Sequence, residues 1–280
     1  MVTFSAHDGT RLAYHESGDG PRLICLPGGP MQSAAYLGDL GGLTSHHRLT
    51  GLDPRGTGQS AVPRDVSSYR CDRLVGDVEA LREHLGLDCT DLLAHSGGAN
   101  LAVLYAARHP DRVARLLLIT PSVYAVGLEI TPEDRLATAR LRRNEPWFAP
   151  AYSALQAVTA GRATADSWSA VAPFWHARWD DDARAFDDAG DRAKNYEAAA
   201  LYGAQGAFSP AETRAALASF TSPVLVVAGE KDLAAPPRVM REFAELFPNA
   251  ELSVQPGAGH FPWRDDAARF AAIVKSFTGR

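Results

Sequence analysis

The chain has 280 residues, of which 46% are hydrophobic and 22% charged, and its formal net charge is −5. This length suits one large α/β domain or a core with an insertion, and the absence of a basic block argues against nucleic acid or an anionic membrane as partner. No apolar run approaches the about 18 residues of a membrane span, the N-terminus has no signal-like regions, and the three cysteines lack metal or disulfide spacing, so we expect a cytoplasmic protein.

Short apolar strands separated by turn signals predict the first elements. Residues 2–5 and 11–15 flank the turn signal Asp8-Gly9 and predict a hairpin at an antiparallel sheet edge. Further strands are predicted at 22–26, 48–53, 91–95, 113–120, 223–228 and 252–254, and helices at 72–85, 97–109, 237–247 and 263–277. Apolar strands that alternate with helices indicate a mostly parallel sheet covered on both faces.

Residues 121–222 break this alternation, since they contain no convincing strand. The run Thr131-Pro132-Glu133-Asp134 predicts a helix start, with a capping threonine, a proline at the first helical position and acids in the first turn. We expect residues 1–120 and 223–280 to form the core domain and residues 121–222 to form a helical cap over the active site. Four of the five tryptophans fall in this cap, although burial in its own core is the alternative for each of them.

Ser96 lies where a predicted strand meets a predicted helix, in Leu92-Leu93-Ala94-His95-Ser96-Gly97-Gly98. The residues two positions before and after it, Ala94 and Gly98, are small, as a sharp strand-to-helix turn requires. A serine in such a turn is held in a strained backbone conformation with its hydroxyl exposed. We therefore predict that Ser96 is a nucleophile.

A serine hydroxyl needs a base to take its proton, and the base needs an orienting carboxylate. Two loops after later strands offer both groups, in Gly229-Glu230-Lys231-Asp232 and Gly257-Ala258-Gly259-His260. The order serine, acid, histidine is typical of such sheets. We predict His260 as the general base and Asp232 as its orienting acid, with Glu230 as an alternative acid.

The tetrahedral intermediate of acyl transfer carries an oxyanion that needs two hydrogen-bond donors. Gly97, at the start of the helix after the nucleophile, is predicted to supply one backbone N–H. The loop Pro27-Gly28-Gly29-Pro30 follows an earlier strand, and its prolines have no N–H, so we favour Gly29 as the second donor over its neighbour Gly28.

The substrate-binding candidates adjoin these loops or lie in the helical segment. They are Met31, His95, Trp147, Trp175 and Trp179. No metal or organic cofactor is predicted, because the ligand spacings and nucleotide-binding glycine patterns are missing.

Five motifs together resemble the α/β-hydrolase superfamily over nearly the whole chain. They are Pro27-Gly28-Gly29-Pro30, Asp53-Pro54-Arg55-Gly56-Thr57-Gly58-Gln59-Ser60, Ala94-His95-Ser96-Gly97-Gly98, Gly229-Glu230-Lys231-Asp232 and Gly257-Ala258-Gly259-His260-Phe261-Pro262. The first two look most like those of proline iminopeptidases. The resemblance implies an α/β-hydrolase fold with an eight-stranded, mostly parallel sheet, helices on both faces and a helical cap that selects the substrate. It also implies structural roles for Asp53 and Arg55.

The resemblance implies hydrolysis of a small ester, amide or lactone through an acyl-enzyme, with a small molecule or short peptide as the substrate. A proline iminopeptidase holds a free amine with carboxylates, and Leu233 stands where some members carry a glutamate for it. The alternatives are a non-peptidase esterase or lactonase, a ligand-binding member that does not hydrolyse, and a lyase or isomerase that uses His260. The sequence leaves the oligomeric state open.

Overall fold

The computed structural model describes residues 1–279, and an eight-stranded sheet forms its centre. The strands are β1 (Val2–Ser5), β2 (Arg11–Ser17), β3 (Arg22–Leu26), β4 (Arg48–Asp53), β5 (Thr90–His95), β6 (Val113–Ile119), β7 (Val224–Gly229) and β8 (Ala250–Gln255). Their order in the sheet is β1-β2-β4-β3-β5-β6-β7-β8. β2 pairs antiparallel with β1 and β4, and the other neighbours are parallel. The predicted mostly parallel sheet with an antiparallel edge hairpin is confirmed.

The α-helices follow β4 along the chain, between the later strands and after β8. They are α1 (Cys71–His84), α2 (Gly98–Arg108), α3 (Pro132–Ala139), α4 (Phe148–Thr159), α5 (Ala165–Val171), α6 (Asp181–Arg192), α7 (Tyr196–Tyr202), α8 (Pro210–Leu217), α9 (Pro237–Ala244), α10 (Pro262–Asp265) and α11 (Ala267–Thr278). The single helix predicted over 263–277 is wrong. Asp266 has non-helical backbone angles, φ −149° and ψ 86°, and its carboxylate caps α11 by accepting from the Arg269 N–H, so the chain forms two helices there.

Two apolar layers cover the two faces of the sheet. Every residue of β5 is buried, and its alternate side chains point to opposite faces. Leu92 joins the layer that contains residues of α1, α2 and α9, whereas Leu93 joins the layer with Trp263 and Phe270 of α10 and α11. This double cover explains why the central strands are apolar throughout. The parallel pairing of the strands places the carboxyl ends of β5, β7 and β8 at one edge of the sheet.

Helices α3 to α8 lie between β6 and β7, and within the described residues this segment adds no strand to the sheet. Thr131 and Asp134 form the predicted capping box at the start of α3. A separate apolar cluster around Phe174 and Leu155 holds the segment together. Among residues 1–279, no helix combines the length and the hydrophobicity that a membrane span requires.

Candidate active site

Ser96 forms the turn between β5 and α2, with a positive φ of 50°. Its N–H donates to the Ile119 carbonyl at 3.0 Å, and its carbonyl accepts from the Ser122 N–H at 3.0 Å, so neighbouring backbone holds the turn. A Cβ added at Gly98 would lie 2.4 Å from the Pro27 carbonyl oxygen, which leaves no room for a side chain there. The small residue read from the sequence is thus a steric requirement of this turn.

His260 and Asp232 follow β8 and β7, and they meet Ser96 at the same edge of the sheet. His260 Nε2 lies 2.8 Å from Ser96 Oγ, and His260 Nδ1 lies 2.8 Å from Asp232 Oδ2. Because a carboxylate only accepts, Nδ1 carries the hydrogen and Nε2 is free to accept from the serine hydroxyl. Asp232 is fully buried, and its other oxygen accepts from the Ala234 N–H at 2.7 Å.

Glu230, the alternative acid, has a different partner. Its Oε2 accepts from the Gly257 N–H at 2.7 Å and so ties the loop after β7 to the loop after β8. The carboxylate on the His260 ring is that of Asp232. The geometry therefore favours Asp232 as the orienting acid and gives Glu230 a role in loop structure.

The backbone of His260 is also held in place. Its N–H donates to the Trp175 carbonyl at 2.8 Å. Its carbonyl accepts from Thr120 Oγ1 at 2.9 Å and from His95 Nε2 at 3.0 Å. These contacts fix the imidazole relative to β5 and β6, so its position does not depend on the Ser96 contact alone.

His95 was expected to bind substrate, but it is not among the residues that line the cavity beside Ser96. Its ring is buried and connects two loops. Its Nε2 faces the His260 carbonyl, which only accepts, so Nε2 carries the hydrogen. Its Nδ1 then accepts from the Tyr36 hydroxyl at 2.6 Å, and that hydroxyl oxygen accepts from the Gly28 N–H at 2.7 Å. Burial, aided by the neighbouring His260, lowers the pKa of His95 well below its usual range, which keeps this neutral form.

The chain from Gly28 through Tyr36 and His95 to His260 ties the loop after β3 to the loop of the predicted base. It was not found from the sequence, because Tyr36 and His95 are 59 positions apart and neither lies in a motif with the other. It also bears on the choice between the two glycines of the turn as the predicted second donor. The N–H of Gly28 is occupied by Tyr36, which leaves Gly29 as the available donor.

Gly29 and Gly97 both line the cavity that contains Ser96. Within the described residues, no hydrogen-bond acceptor is found for the backbone N–H of either glycine. Gly97 caps the N-terminus of α2, where the helix dipole favours negative charge. Gly29 has a φ of +109°, a conformation that side-chain-bearing residues rarely adopt. Two unpaired donors beside a serine hydroxyl suit an oxyanion.

Asp53 and Arg55 hold the loops on which this arrangement rests. Asp53 Oδ1 accepts from Ser33 Oγ and from the Ala34 N–H, both at 2.9 Å, which anchors the segment after the Gly-Gly-Pro turn. Arg55 is buried and pairs with Asp77 through two guanidinium nitrogens. These contacts fit the structural roles that the resemblance implied.

The cavity beside Ser96 has a volume of about 880 Å³ and two kinds of wall. The sheet edge contributes Ser96, Gly29, Gly97 and His260. The segment between β6 and β7 contributes apolar and charged side chains. These include Glu129, Arg135, Leu155, Val158, Trp168, Val171, Trp175 and Lys194.

A family model of the alpha/beta hydrolase fold matches residues 21–266. The chain belongs to this family. It is a hydrolase of the α/β fold and resembles proline iminopeptidases, as the sequence predicted. A proline iminopeptidase of Heyndrickxia coagulans is 33% identical over 112 residues, which cover 40% of this chain but only 39% of that protein. N-formylmaleamate deformylase of Pseudomonas putida is 28% identical over 267 residues, covering 91% of this chain and 88% of the relative.

Solved structures share the fold of this hydrolase over nearly its whole length. The proline iminopeptidase of Mycobacterium smegmatis superposes with a TM-score of 0.76 at 21% identity, covering 99% of this chain and 98% of the other. At that identity the likeness concerns the fold alone. The overall fold is therefore shared, whereas the side chains that line the cavity have to be considered on their own.

Three further substrate-binding candidates of the hydrolase lie elsewhere. Met31 is 2% exposed and packs in the core beneath the turn, while its carbonyl accepts from the Asn195 N–H at 2.9 Å. Trp147 and Trp179 line a separate open cavity of about 570 Å³. Trp147 packs edge-on against Phe174, with ring centroids 5.1 Å apart, because it completes the apolar cluster of the helical segment.

Of the three tryptophans predicted to bind substrate, Trp175 lines the cavity beside Ser96. Its ring centroid lies 6.0 Å from that of His260. Trp168, which the sequence did not single out, lines it as well and is 55% exposed. The sequence alone does not distinguish a tryptophan that faces the cavity from one that faces an apolar core, because the side chain is the same in both places. Only the packing of α4, α5 and the loop after them separates cavity-facing rings from core rings.

Proposed function

We propose that this protein is a serine hydrolase that cleaves a small ester, amide or lactone through an acyl-enzyme. The observation that carries the proposal is the hydrogen-bonded series from Ser96 Oγ to His260 and on to Asp232, with 2.8 Å at each contact. The buried acid, the imidazole ring and the hydroxyl stand in the order that nucleophilic catalysis by serine requires.

In the first half of the reaction, Ser96 Oγ attacks the carbonyl carbon while its proton passes to His260 Nε2. Asp232 accepts from Nδ1–H and stabilises the imidazolium that forms. The carbonyl oxygen becomes an oxyanion, which accepts from the N–H groups of Gly29 and Gly97. The tetrahedral intermediate then expels the leaving group, which takes the proton from Nε2.

In the second half, water gives a proton to His260 Nε2 and attacks the acyl carbon. A second oxyanion forms at the same two N–H groups. Its collapse breaks the bond to Ser96 Oγ, which regains the proton from His260, and the free acid leaves. The reaction uses only this chain's own groups and water.

We also propose the division expected from the sequence, with a core of residues 1–120 and 223–280 and a cap of residues 121–222. Supporting it, the cap carries its own apolar cluster and supplies most side chains of one cavity wall. Polar contacts attach it to the core, among them Arg238 Nη2 to Asp134 Oδ2 at 2.7 Å and Arg135 Nη1 to the Leu233 carbonyl at 2.9 Å.

A proline-iminopeptidase-like activity is the second candidate. The similarity to proteins of that name and the Gly-Gly-Pro turn favour it. Similarity over most of the chain to N-formylmaleamate deformylase favours small non-peptide substrates instead. Glu129, whose side chain is exposed, is the carboxylate among the described cavity-lining residues.

A substrate panel tests the proposal and separates the two candidates. It contains 4-nitrophenyl esters of short acids, small lactones and proline 4-nitroanilide, each assayed with the wild type and with Ser96→Ala. We expect ester or lactone turnover that Ser96→Ala lowers at least about 10³-fold. Turnover that survives Ser96→Ala would contradict a serine nucleophile, and proline nitroanilide as the best substrate would favour the peptidase.

A further inference from the structure

The cavity beside Ser96 has more positive than negative side chains among its described lining residues. Apart from His260, the charged side chains among its described lining residues are Glu129, Arg135 and Lys194. Glu129 is exposed, whereas Arg135 and Lys194 are partly buried. The two cations among these lining residues are therefore more shielded from solvent than the one carboxylate.

Lys194 is fixed against the loop that carries Gly29. It lies between α6 and α7, and its backbone forms an isolated β-bridge with Gln32. The bonds on either side extend the contact, from the Ser33 N–H to the Ala193 carbonyl at 3.3 Å and from Asn195 to Met31. The lysine is thus attached to the segment that directly follows the proposed oxyanion donor.

The ammonium of Lys194 has no carboxylate of the described residues within 4 Å. It lies 5.2 Å from the ring centroid of Tyr196, a contact that orients a cation without neutralising it. Burial lowers the pKa of Lys194, and the more distant Asp191 opposes that effect only in part. A partly desolvated ammonium without a counter-ion gains more from an anionic ligand than a surface lysine does.

Arg135 adds a second cation from α3. Its Nη1 donates to the Leu233 carbonyl at 2.9 Å, which fixes the guanidinium next to the loop that carries Asp232. A guanidinium has five N–H donors, so this bond leaves others for a ligand. In contrast, the arginines on the outer surface of the segment, such as Arg140 and Arg184, pair with carboxylates of their own.

We propose that Lys194 binds a carboxylate of the substrate, so that the enzyme acts on small esters, amides or lactones that carry a negative charge. This inference rests on the proposed serine hydrolase function and names its substrate class. A substrate with a free N-terminal amine would bring a third positive charge toward Arg135 and Lys194. The same cavity therefore disfavours iminopeptidase substrates.

Two esters of equal chain length test the inference. They are mono(4-nitrophenyl) adipate, which carries a terminal carboxylate, and 4-nitrophenyl hexanoate, which does not. We expect the wild type to prefer the adipate ester. Lys194→Met should raise KM for that ester about tenfold or more, as for loss of a charged hydrogen bond, and should change the hexanoate less than about twofold.

Two variants serve as controls. Lys194→Arg keeps the positive charge and should retain most of the preference, and Lys275→Met removes an exposed charge from α11 and should change neither ester. Added salt should weaken the preference, since it screens ion pairs. A Lys194→Met effect that is equal for both esters, or a wild type without preference, would overturn the inference.

Binding of free adipate, measured by calorimetry, decides the question without turnover. Binding to the wild type that Lys194→Met weakens about tenfold supports the subsite, and unchanged binding contradicts it. Hydrolysis of the hexanoate that depends on Ser96 reports the proposed function separately. If the Lys194 inference is wrong but the serine hydrolase proposal is right, hexanoate hydrolysis still depends on Ser96. If the serine hydrolase proposal is wrong, that dependence is missing.

Discussion

The two walls of the active-site cavity are built differently. On the sheet wall, each proposed reacting group directly follows a strand: Ser96 follows β5, Asp232 follows β7, His260 follows β8, and the Gly29 turn follows β3. On the cap wall, the lining side chains come from helices and loops with an apolar cluster of their own. We therefore expect the sheet backbone to position the proposed reacting groups and the side chains of the proposed cap to determine substrate choice.

This difference predicts different kinetic effects on the two walls. Substitutions on the sheet wall should lower kcat, because they displace groups that contact the transition state. Substitutions on the cap wall should raise KM with little change in kcat, since they remove binding that is equal in ground and transition states.

After the nucleophile itself, the largest effect is expected at the orienting acid. Asp232→Asn should lower kcat about 10⁴-fold, because an amide no longer holds His260 in the tautomer with hydrogen on Nδ1. Glu230→Gln is the matched control, since its carbonyl oxygen can still accept from the Gly257 N–H, and kcat should change little. Steady-state kinetics with a neutral ester measures both. Equal losses in the two variants would contradict the assignment of the acid.

A smaller loss is expected from the buried His95. His95→Leu breaks the chain between Tyr36 and the His260 carbonyl and should lower kcat roughly 10–100-fold through misplacement, with KM nearly unchanged. His95→Gln can donate from Nε2 and accept at Oε1, so it should restore much of the activity. A rise in KM equal to the fall in kcat would instead favour direct substrate contact.

His95 should also make the stability of the folded protein depend on pH. Its pKa in the folded protein is well below the usual value, so the unfolded chain takes up a proton near pH 6.5 that the folded chain does not. Stability should therefore fall as the pH decreases below about 6.5. In His95→Gln this contribution is absent. Unfolding midpoints in urea between pH 8 and 5 should decline less in the variant, and equal declines would contradict a buried neutral histidine.

The smallest effect on catalysis separates two tryptophans of the cap. Trp175→Ala should raise KM about 3–10-fold, because the ring lines the cavity near His260 while the backbone bond to His260 remains. Trp147→Ala should leave KM within about twofold but destabilise the protein by about 1–3 kcal/mol, since it loses contacts with Phe174 and Arg142. A raised KM in Trp147→Ala together with an unchanged KM in Trp175→Ala would contradict this assignment of the two rings.

The sheet wall could be predicted from the sequence because its signals are local. An apolar run, a turn and a polar residue at the strand end lie within ten positions of one another, as around Ser96 and Asp232. Parallel pairing then brings separate strand ends to one edge. The sheet and the meeting of Ser96, Asp232 and His260 follow from this rule, and the roles of these residues remain a prediction.

The cap wall could not be predicted in the same way. Trp147 and Trp175 have similar apolar surroundings in sequence, and both pack against the apolar cluster of the cap. Only the packing of neighbouring helices places Trp175 at the cavity beside Ser96 and Trp147 at the separate open cavity. Lys194 belongs to no motif, since its position depends on a bridge to Gln32, 162 positions earlier in the chain. Contacts of such long separation leave no local pattern.

Covalent labelling at Ser96 tests the central claim most directly. A fluorophosphonate reacts with a serine that has an activated hydroxyl, and its covalent adduct on the serine oxygen mimics the tetrahedral intermediate. Intact mass and peptide mapping should show one adduct, on Ser96, in the wild type and none in Ser96→Ala. An unlabelled wild type, or an adduct on Ser122 that persists in Ser96→Ala, would contradict Ser96 as the nucleophile.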